Sequence, residues 1–537
     1  MQRRKFLQYA AVSGLGLLGG GYLYKYGANA QPAVPSHTDL PAARAGAHNP
    51  LLVPGNSGPL GLLEVGAAPI TLNARATTLP LLQGKPSPFL IYDTQYGGKS
   101  YQNPILRIKR GGQFKASLQN SLKEPTIIHW HGLHLPGVMD GHPRSTIAAG
   151  GRYDYAFTVN NRSGTYWYHT HAHELTAEQA YGGLASFFIV EDEDELALRE
   201  ALRLELGVND LPLVIQDKQF DAAGALVYQD NPMQQMMGQL GDTILVNLTP
   251  QSQLKIENWL YRFRVLNGSN SRIYNLAFVQ RGKTLPYTII GTDAGLLEQP
   301  YAAQQVFLAP GERVDILFDA SRLRTGDEVA LKSLAFDSMT GGMMGGMGGM
   351  GGGMGSSSLV LGAEFGIMQL VVAKQTAAAP AALPQRLSTV TRINTRGAAV
   401  RNIKLSMGRM RWLINGQTFD MNSVPLQSRA NTVELWDIQN SGAMGMPHPM
   451  HLHGFSFQVD SRRNSPSQVR KLAQDKSGRL ITDLGWKDTV LVWPGETVRL
   501  AIDFANAYKG DQLYVFHCHN LEHEDQGMMV NHRVTAI

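Results

Sequence analysis

"FHCHNLEHEDQGMM", residues 516–529, holds the only cysteine in 537 residues, with a histidine on each side of it. A single cysteine excludes an intrachain disulfide, so the thiol serves some other purpose. In a β-strand, residues i and i+2 face one way and residue i+1 the other. Read as a strand, "FHCH" turns His517 and His519 toward one face and Cys518 toward the opposite face. Two donor sets then stand back to back, joined by peptide bonds.

The rest of the chain repeats the pattern. Sixteen histidines placed at random would give about half of one His-x-His pair. There are five: His129 with His131, His169 with His171, His171 with His173, His451 with His453, and His517 with His519. Between His173 and His448 there is none, so any imidazole site belongs to the two ends of the chain and the middle reads as an imidazole-free spacer. Eight imidazoles on four strands exceed the four or so positions that one copper or zinc uses. A cluster of metals is expected. On its other face Cys518 joins His448, His523 and Met528, and one thiolate, two imidazoles and a thioether make the donor set of a blue-copper centre.

Around these motifs the sequence is built of short alternating runs bounded by Gly, Pro, Asn and Asp, such as "ILRIKRG", "RVDILFD" and "TVRLAIDF", which read as strands of β-sandwiches. "EDEDELALREALRLEL" (191–206) suits a short connecting helix. A grammar recurs three times: a strand ending in Asn120, Asn267 or Asn440 precedes a turn at Gly150, Gly311 or Gly495 that opens a new strand. Three tandem sandwiches explain the length, with expected domains at 55–205, 206–375 and 385–537, the last two separated by the Ala/Pro-rich "KQTAAAPAALPQ".

The formal charge is +5, but residues 1–30 contribute Arg3, Arg4, Lys5 and Lys25 and no acid, leaving 44 basic against 43 acidic residues. Nothing there favours nucleic acid. "QRRKFLQ", a weakly apolar Gly-rich stretch and "ANA" at 28–30 resemble a twin-arginine export signal over residues 1–30. The apolar run is short for a membrane span, so the mature chain is expected without one, in the periplasm or outside the cell.

"HWHG" (129–132), "YHTH" (168–171), "HPMHLHG" (448–454) and "HCHNLEHEDQGMM" (517–529) resemble the four copper motifs of the multicopper oxidases, with a tail similar to that of bacterial cuprous oxidases of copper efflux. The resemblance implies an all-β fold of three cupredoxin-like Greek-key domains. It implies four copper ions, one type 1, one type 2 and a type 3 pair. His448, Cys518 and His523, with Met528 axial, match the type 1 ligands. His129 and His451 match type 2, and His131, His169, His171, His453, His517 and His519 match type 3. Asp140 and Glu524 stand where the family places proton-delivering acids. The implied reaction is four one-electron oxidations coupled to reduction of O2 to water, by a chain expected to be monomeric. His134, His142 and His173 have no role in the pattern.

"MTGGMMGGMGGMGGGMG" (339–355) adds Met339, Met343, Met344, Met347, Met350 and Met354, thioethers suited to gathering Cu(I); Met444, Met446 and "MQQMM" (233–237) extend the supply. In the efflux oxidases the methionine-rich insert lies in the third domain, where "KLSMGRMRWLINGQ" here runs uninterrupted, and an acid precedes the first type 1 histidine where this chain has Met444. The expectation is a Cu(I) oxidase serving copper tolerance. The alternatives are a laccase acting on phenols or aromatic amines and a non-catalytic copper-storing or structural envelope protein.

Overall fold

The computed structural model describes residues 48–82, 85–229, 231–338, 358–376 and 381–536. The expected export signal and Met339, Met343, Met344, Met347, Met350 and Met354 lie outside them. Among the described residues, six sheets form three sandwiches. The first packs a six-stranded sheet on a five-stranded one around Phe114, Trp130, Tyr168 and Phe188. The middle sandwich joins two seven-stranded sheets over Phe263, Phe278 and Phe318. The third closes two five-stranded sheets over Trp436, Phe516 and Cys518. The fold is mostly β, as the alternating runs imply.

The repeated Asn and Gly have one physical role in all three. The strands Gln113–Asn120, Leu260–Asn267 and Val433–Asn440 pair antiparallel with Arg152–Thr158, Arg313–Asp319 and Thr497–Asp503. At each strand end the Asn carbonyl accepts the N–H of Gly150, Gly311 or Gly495, at 2.8, 3.0 and 3.1 Å. The side-chain oxygen accepts the N–H two residues on, from Leu122, Ser269 and Gly442, at 2.9, 3.0 and 2.9 Å. An Asx-turn thus closes the strand. The glycines take φ of 75°, 81° and 76°, where a Cβ is strained, which is why glycine recurs there.

Among the described residues, five short α-helices decorate the sheets: α1 (Thr176–Gly182), α2 (Glu193–Leu202), α3 (Pro232–Met237), α4 (Ser467–Arg470) and α5 (Leu521–Asp525). The second is the expected connector, N-capped by Asp192. Its buried Glu195 receives Arg262 Nη1 at 2.6 Å and Arg264 Nη2 at 2.5 Å, which locks the connector to the middle sandwich. No helix among the described residues is long and apolar enough to cross a membrane.

Candidate metal centre

Strand register brings the motifs together. In the first sandwich Ile128–His131 pairs with Gly164–Thr170, placing His129 opposite His169 and His131 opposite Trp167. In the third, His448–Leu452 pairs with Gln512–Cys518, placing His451 opposite His517 and Met450 opposite Cys518. The intervening Trp130 and Tyr168 enter the first core, as alternation requires. The two strand pairs face each other. The His129 ring stacks on His453 at 3.6 Å between centroids, and His131 on His451 at 3.7 Å. His129, His131, His169, His171, His451, His453, His517 and His519 are all buried.

Main-chain and carboxylate oxygens orient most of these rings through Nδ1. His129 is held by Asp140 O at 2.7 Å, His169 by Thr170 O at 2.8 Å, His451 by Asp488 O at 2.8 Å, and His517 by Cys518 O at 3.1 Å. The Nδ1 of His453 meets Asp140 Oδ2 at 2.7 Å. Nε2 is then left to converge: His129 with His451 at 3.3 Å, His453 with His517 at 3.0 Å, and His171 with His517 at 3.4 Å. His131 is reversed. Its Nε2 lies 2.9 Å from Asp488 Oδ1 and 3.2 Å from Thr489 Oγ1, and its Nδ1 has no hydrogen-bond partner.

The donor atoms gather in overlapping groups: His129 with His451 and His453, His171 with His453 and His517, His129 with His131 and His169, and His131 with His451 and Asp488, while the His519 ring centroid lies 5.1 and 5.3 Å from those of His131 and His169. Burial, reinforced by repulsion between neighbouring imidazoles, holds His129, His131, His451, His453 and His519 well below the usual histidine range. Neutral rings expose lone pairs. His131 Nδ1, His169 Nε2 and both nitrogens of His519 are buried without a hydrogen-bond partner, a costly state for a polar atom unless a metal completes it. The cluster therefore fits copper by donor type and by these orphaned nitrogens.

Behind it, Cys518 Sγ lies 3.6 Å from His448 Nδ1 and 3.6 Å from His523 Nδ1. The Cys518 N–H donates to Met528 O at 3.0 Å and the Met528 N–H to His523 O at 2.8 Å, so the backbone holds Met528 beside the thiol in the third core. Burial pushes the Cys518 thiol up and the His448 and His523 imidazoles down, the latter to about 3. A metal would displace the thiol proton. Trp412 packs its ring on both histidines, at 4.7 and 5.0 Å. Above them lies α3: the carbonyl of Met236 accepts from Trp412 Nε1 and from His523 Nε2, each at 2.9 Å. Met237, Met407 and Met444 pack at the edge of the same core, whereas Met446 is buried within it.

The expected acids flank the imidazole cluster. Asp140 is fully buried, and burial raises its carboxyl well above the ordinary range. Glu524 Oε2 lies 3.1 Å from His517 Nδ1 and Oε1 3.5 Å from His171 Nδ1. Burial opposes its ionisation, but the surrounding His171 and His517 more than offset this and hold the carboxyl below its usual value. The remaining histidines stand apart. His134 bonds to Gly454 O, His142 to Asn531, and His173 meets Phe419 edge to face. Trp412, Asp488 and the Met236 carbonyl carry no sequence motif and emerge only from the packing.

Three cupredoxin-like sandwiches, a thiolate–imidazole site and an eight-imidazole cluster define a copper oxidase architecture. Residues 79–195 and 383–536 match multicopper oxidase domain families. The multicopper oxidase Mco of Staphylococcus haemolyticus is 32% identical over 434 residues, covering 80% of this chain and 82% of its own. The crystal structure of the McoA multicopper oxidase of Aquifex aeolicus superposes with a TM-score of 0.80 at 40% identity, covering 91% of this chain and 100% of that one. A protein named cell division protein FtsP, of Photorhabdus laumondii, is 30% identical over 484 residues, 86% of this chain and 94% of its own. The chain belongs to the multicopper oxidases: it is a copper-dependent oxidase that uses O2 and a reducing substrate.

Proposed function

We propose that this oxidase takes Cu(I) as its preferred electron donor and serves copper tolerance outside the cytoplasm as an exported monomer. In this reading His448, Cys518 and His523, with Met528 axial, hold type 1 copper. His129 and His451 hold type 2, while His171, His453 and His517 hold one type 3 ion and His131, His169 and His519 the other. When bound, the four coppers store the four electrons that O2 needs to become water. The chain joins the two donor sets covalently, since Cys518 is bonded to both His517 and His519. Asp140, hydrogen-bonded through Oδ2 to His453 Nδ1, would hold a proton beside the cluster, and Glu524 would accept and pass one beside His171 and His517. The complete donor set argues against a copper-free structural role.

The observation that carries the donor assignment is the cover over His523. Its Nε2 edge, where a phenol would lodge, is already bonded to the Met236 carbonyl, and the covering helix is "PMQQMM". Thioethers suit Cu(I), a donor small enough to be passed along such a cover. Described residues that follow the methionine-rich segment also support the reading. Arg272 Nη2 donates to Leu359 O at 2.7 Å, while the neighbouring Ser271 packs where a Cβ on Gly238, just past α3, would stand. The test is oxygen uptake by copper-loaded protein with and without residues 339–354. A large loss confined to Cu(I), with phenol oxidation kept, supports the reading; equal Cu(I) rates would favour a laccase.

A further inference from the structure

The middle sandwich supplies no histidine, yet its glycine turn presses on the imidazole cluster. Gly311 has φ of 81°, and a Cβ there would lie 2.9 Å from Cγ and Cδ2 of the His519 ring. Two residues on, Arg313 is fully buried and spends all five N–H donors. Nε donates to Thr165 O at 2.9 Å, Nη1 to Gly311 O at 2.8 Å, and Nη2 to Asp293 O at 2.8 Å. The remaining two N–H groups grip Asp488, Nη1 on Oδ1 at 2.8 Å and Nη2 on Oδ2 at 2.5 Å. The guanidinium therefore ties the first sandwich, the middle turn and the third sandwich together, a fork geometry that a lysine does not reproduce.

Asp488 passes this anchoring to His131. Its Oδ1 also accepts from Thr489 Oγ1 at 2.9 Å and faces His131 Nε2 at 2.9 Å. A carboxylate held in two prongs by arginine is an acceptor only, so the His131 nitrogen facing it must carry the proton. The lone pair is then on Nδ1, the atom left without a hydrogen-bond partner. Five other rings, those of His129, His169, His451, His453 and His517, are set by main-chain or carboxylate oxygens through Nδ1; His131, being reversed, needs an acceptor on its far side. Room for that acceptor comes from Gly132, φ 85°, where a Cβ would stand 2.3 Å from Asp488 Oδ2 and 3.0 Å from Arg313 Nη2.

We infer that Arg313, Asp488 and Gly311 are positioning residues for one half of the type 3 pair: Arg313 and Asp488 fix the tautomer and orientation of His131, and Gly311 seats His519. This rests on the copper assignment above and adds a role for the middle domain, whose turn would couple domain docking to the binding of a single copper.

The experiment compares full-length parent, Asp488→Asn, Gly311→Ala and Arg462→Met. Arg462 makes an equally buried pair with Asp483, Nε to Oδ2 at 2.6 Å, and touches no histidine of either site. Copper-loaded proteins are challenged with a chelator, copper per chain is measured by elemental analysis, and the blue absorbance is recorded on the same samples. Loss of such an outer-shell partner typically weakens metal binding about 10- to 100-fold. Asp488→Asn and Gly311→Ala are expected to keep the blue centre and to release one other copper more readily by a factor in that range. Arg462→Met is expected to melt lower and to retain its copper. The inference is overturned if both site variants hold copper as tightly as the parent, or if Arg462→Met releases it equally. A parent that binds only blue copper would instead remove the proposed function, and this inference with it.

Discussion

Replacing Asn231 by alanine tests the cover over the electron-accepting edge without touching a proposed copper ligand. α3 is only six residues long and fully buries none of its side chains, Met236 and Met237 packing part-buried against the third core, so its cap and the two hydrogen bonds to Met236 O matter to its hold. Asn231 Oδ1 accepts the Gln234 N–H at 3.0 Å, and Pro232 occupies the first helical position. Losing an Asn cap costs about 1 kcal/mol, within a range of about 0.5–2. If the covered state dominates, the uncovered fraction then rises about fivefold, with limits of about two- and thirtyfold. A bulky phenol that reaches His523 only when α3 is displaced gains the same factor in kcat/KM, whereas Cu(I) oxidation stays level or falls. Steady-state oxygen uptake with both donors gives the rates, and amide exchange across residues 232–237 reports independently whether the helix has loosened. Faster exchange with an unchanged phenol rate would refute the idea that α3 shields this edge.

Three further outcomes are expected. Asp140→Asn and Glu524→Gln should each keep the blue colour and, in chains reloaded to the parent's copper content, lose kcat by roughly 10²–10⁴, the usual worth of a positioned proton donor or acceptor; an unchanged kcat in such fully loaded chains would deny these acids a proton-relay role. Lys218 is fully buried, and burial pulls its amine down to about 7, against about 10.4 in an unfolded chain. Between those values the unfolded chain carries the proton and the native chain does not, so this residue makes stability rise with pH from about 7 toward 10. Lys218→Met should therefore have its largest Tm advantage at pH 7 and below, shrinking toward pH 10, and a pH-independent difference would contradict this. Removing copper with a chelator should lower Tm and re-addition restore it, since a metal that binds only the folded protein stabilises it; Cys518→Ser should forfeit the blue-copper share of that gain.

Much of this architecture was legible because strand alternation is strict. "HWH", "YHTH", "HLH" and "HCH" declare which side chains share a face, and Trp130, Tyr168 and Cys518 are found on the opposite sides that alternation requires. The Asn and Gly repeat was equally open to reading, since an Asx-turn and a positive φ leave few residue choices. What stayed hidden depends on contacts between sandwiches. Nothing local to His131 says that its ring is reversed, because the deciding acceptor, Asp488, lies 357 residues away. The middle domain read as an imidazole-free spacer, and so it is by composition, yet its turn meets the cluster through Gly311 and Arg313. "MQQMM" drew notice for its sulfurs, while the atom that binds His523 is a main-chain oxygen, which no side-chain pattern encodes.

The most direct test is oxygen consumption by the fully copper-loaded chain with Cu(I) as the sole donor, set against a bulky phenol under the same conditions. The expected result is four Cu(I) oxidised per O2 consumed, without released peroxide, at a higher kcat/KM than the phenol. Failure to couple Cu(I) oxidation to oxygen uptake, or a phenol that outpaces Cu(I), would contradict the cuprous-oxidase assignment.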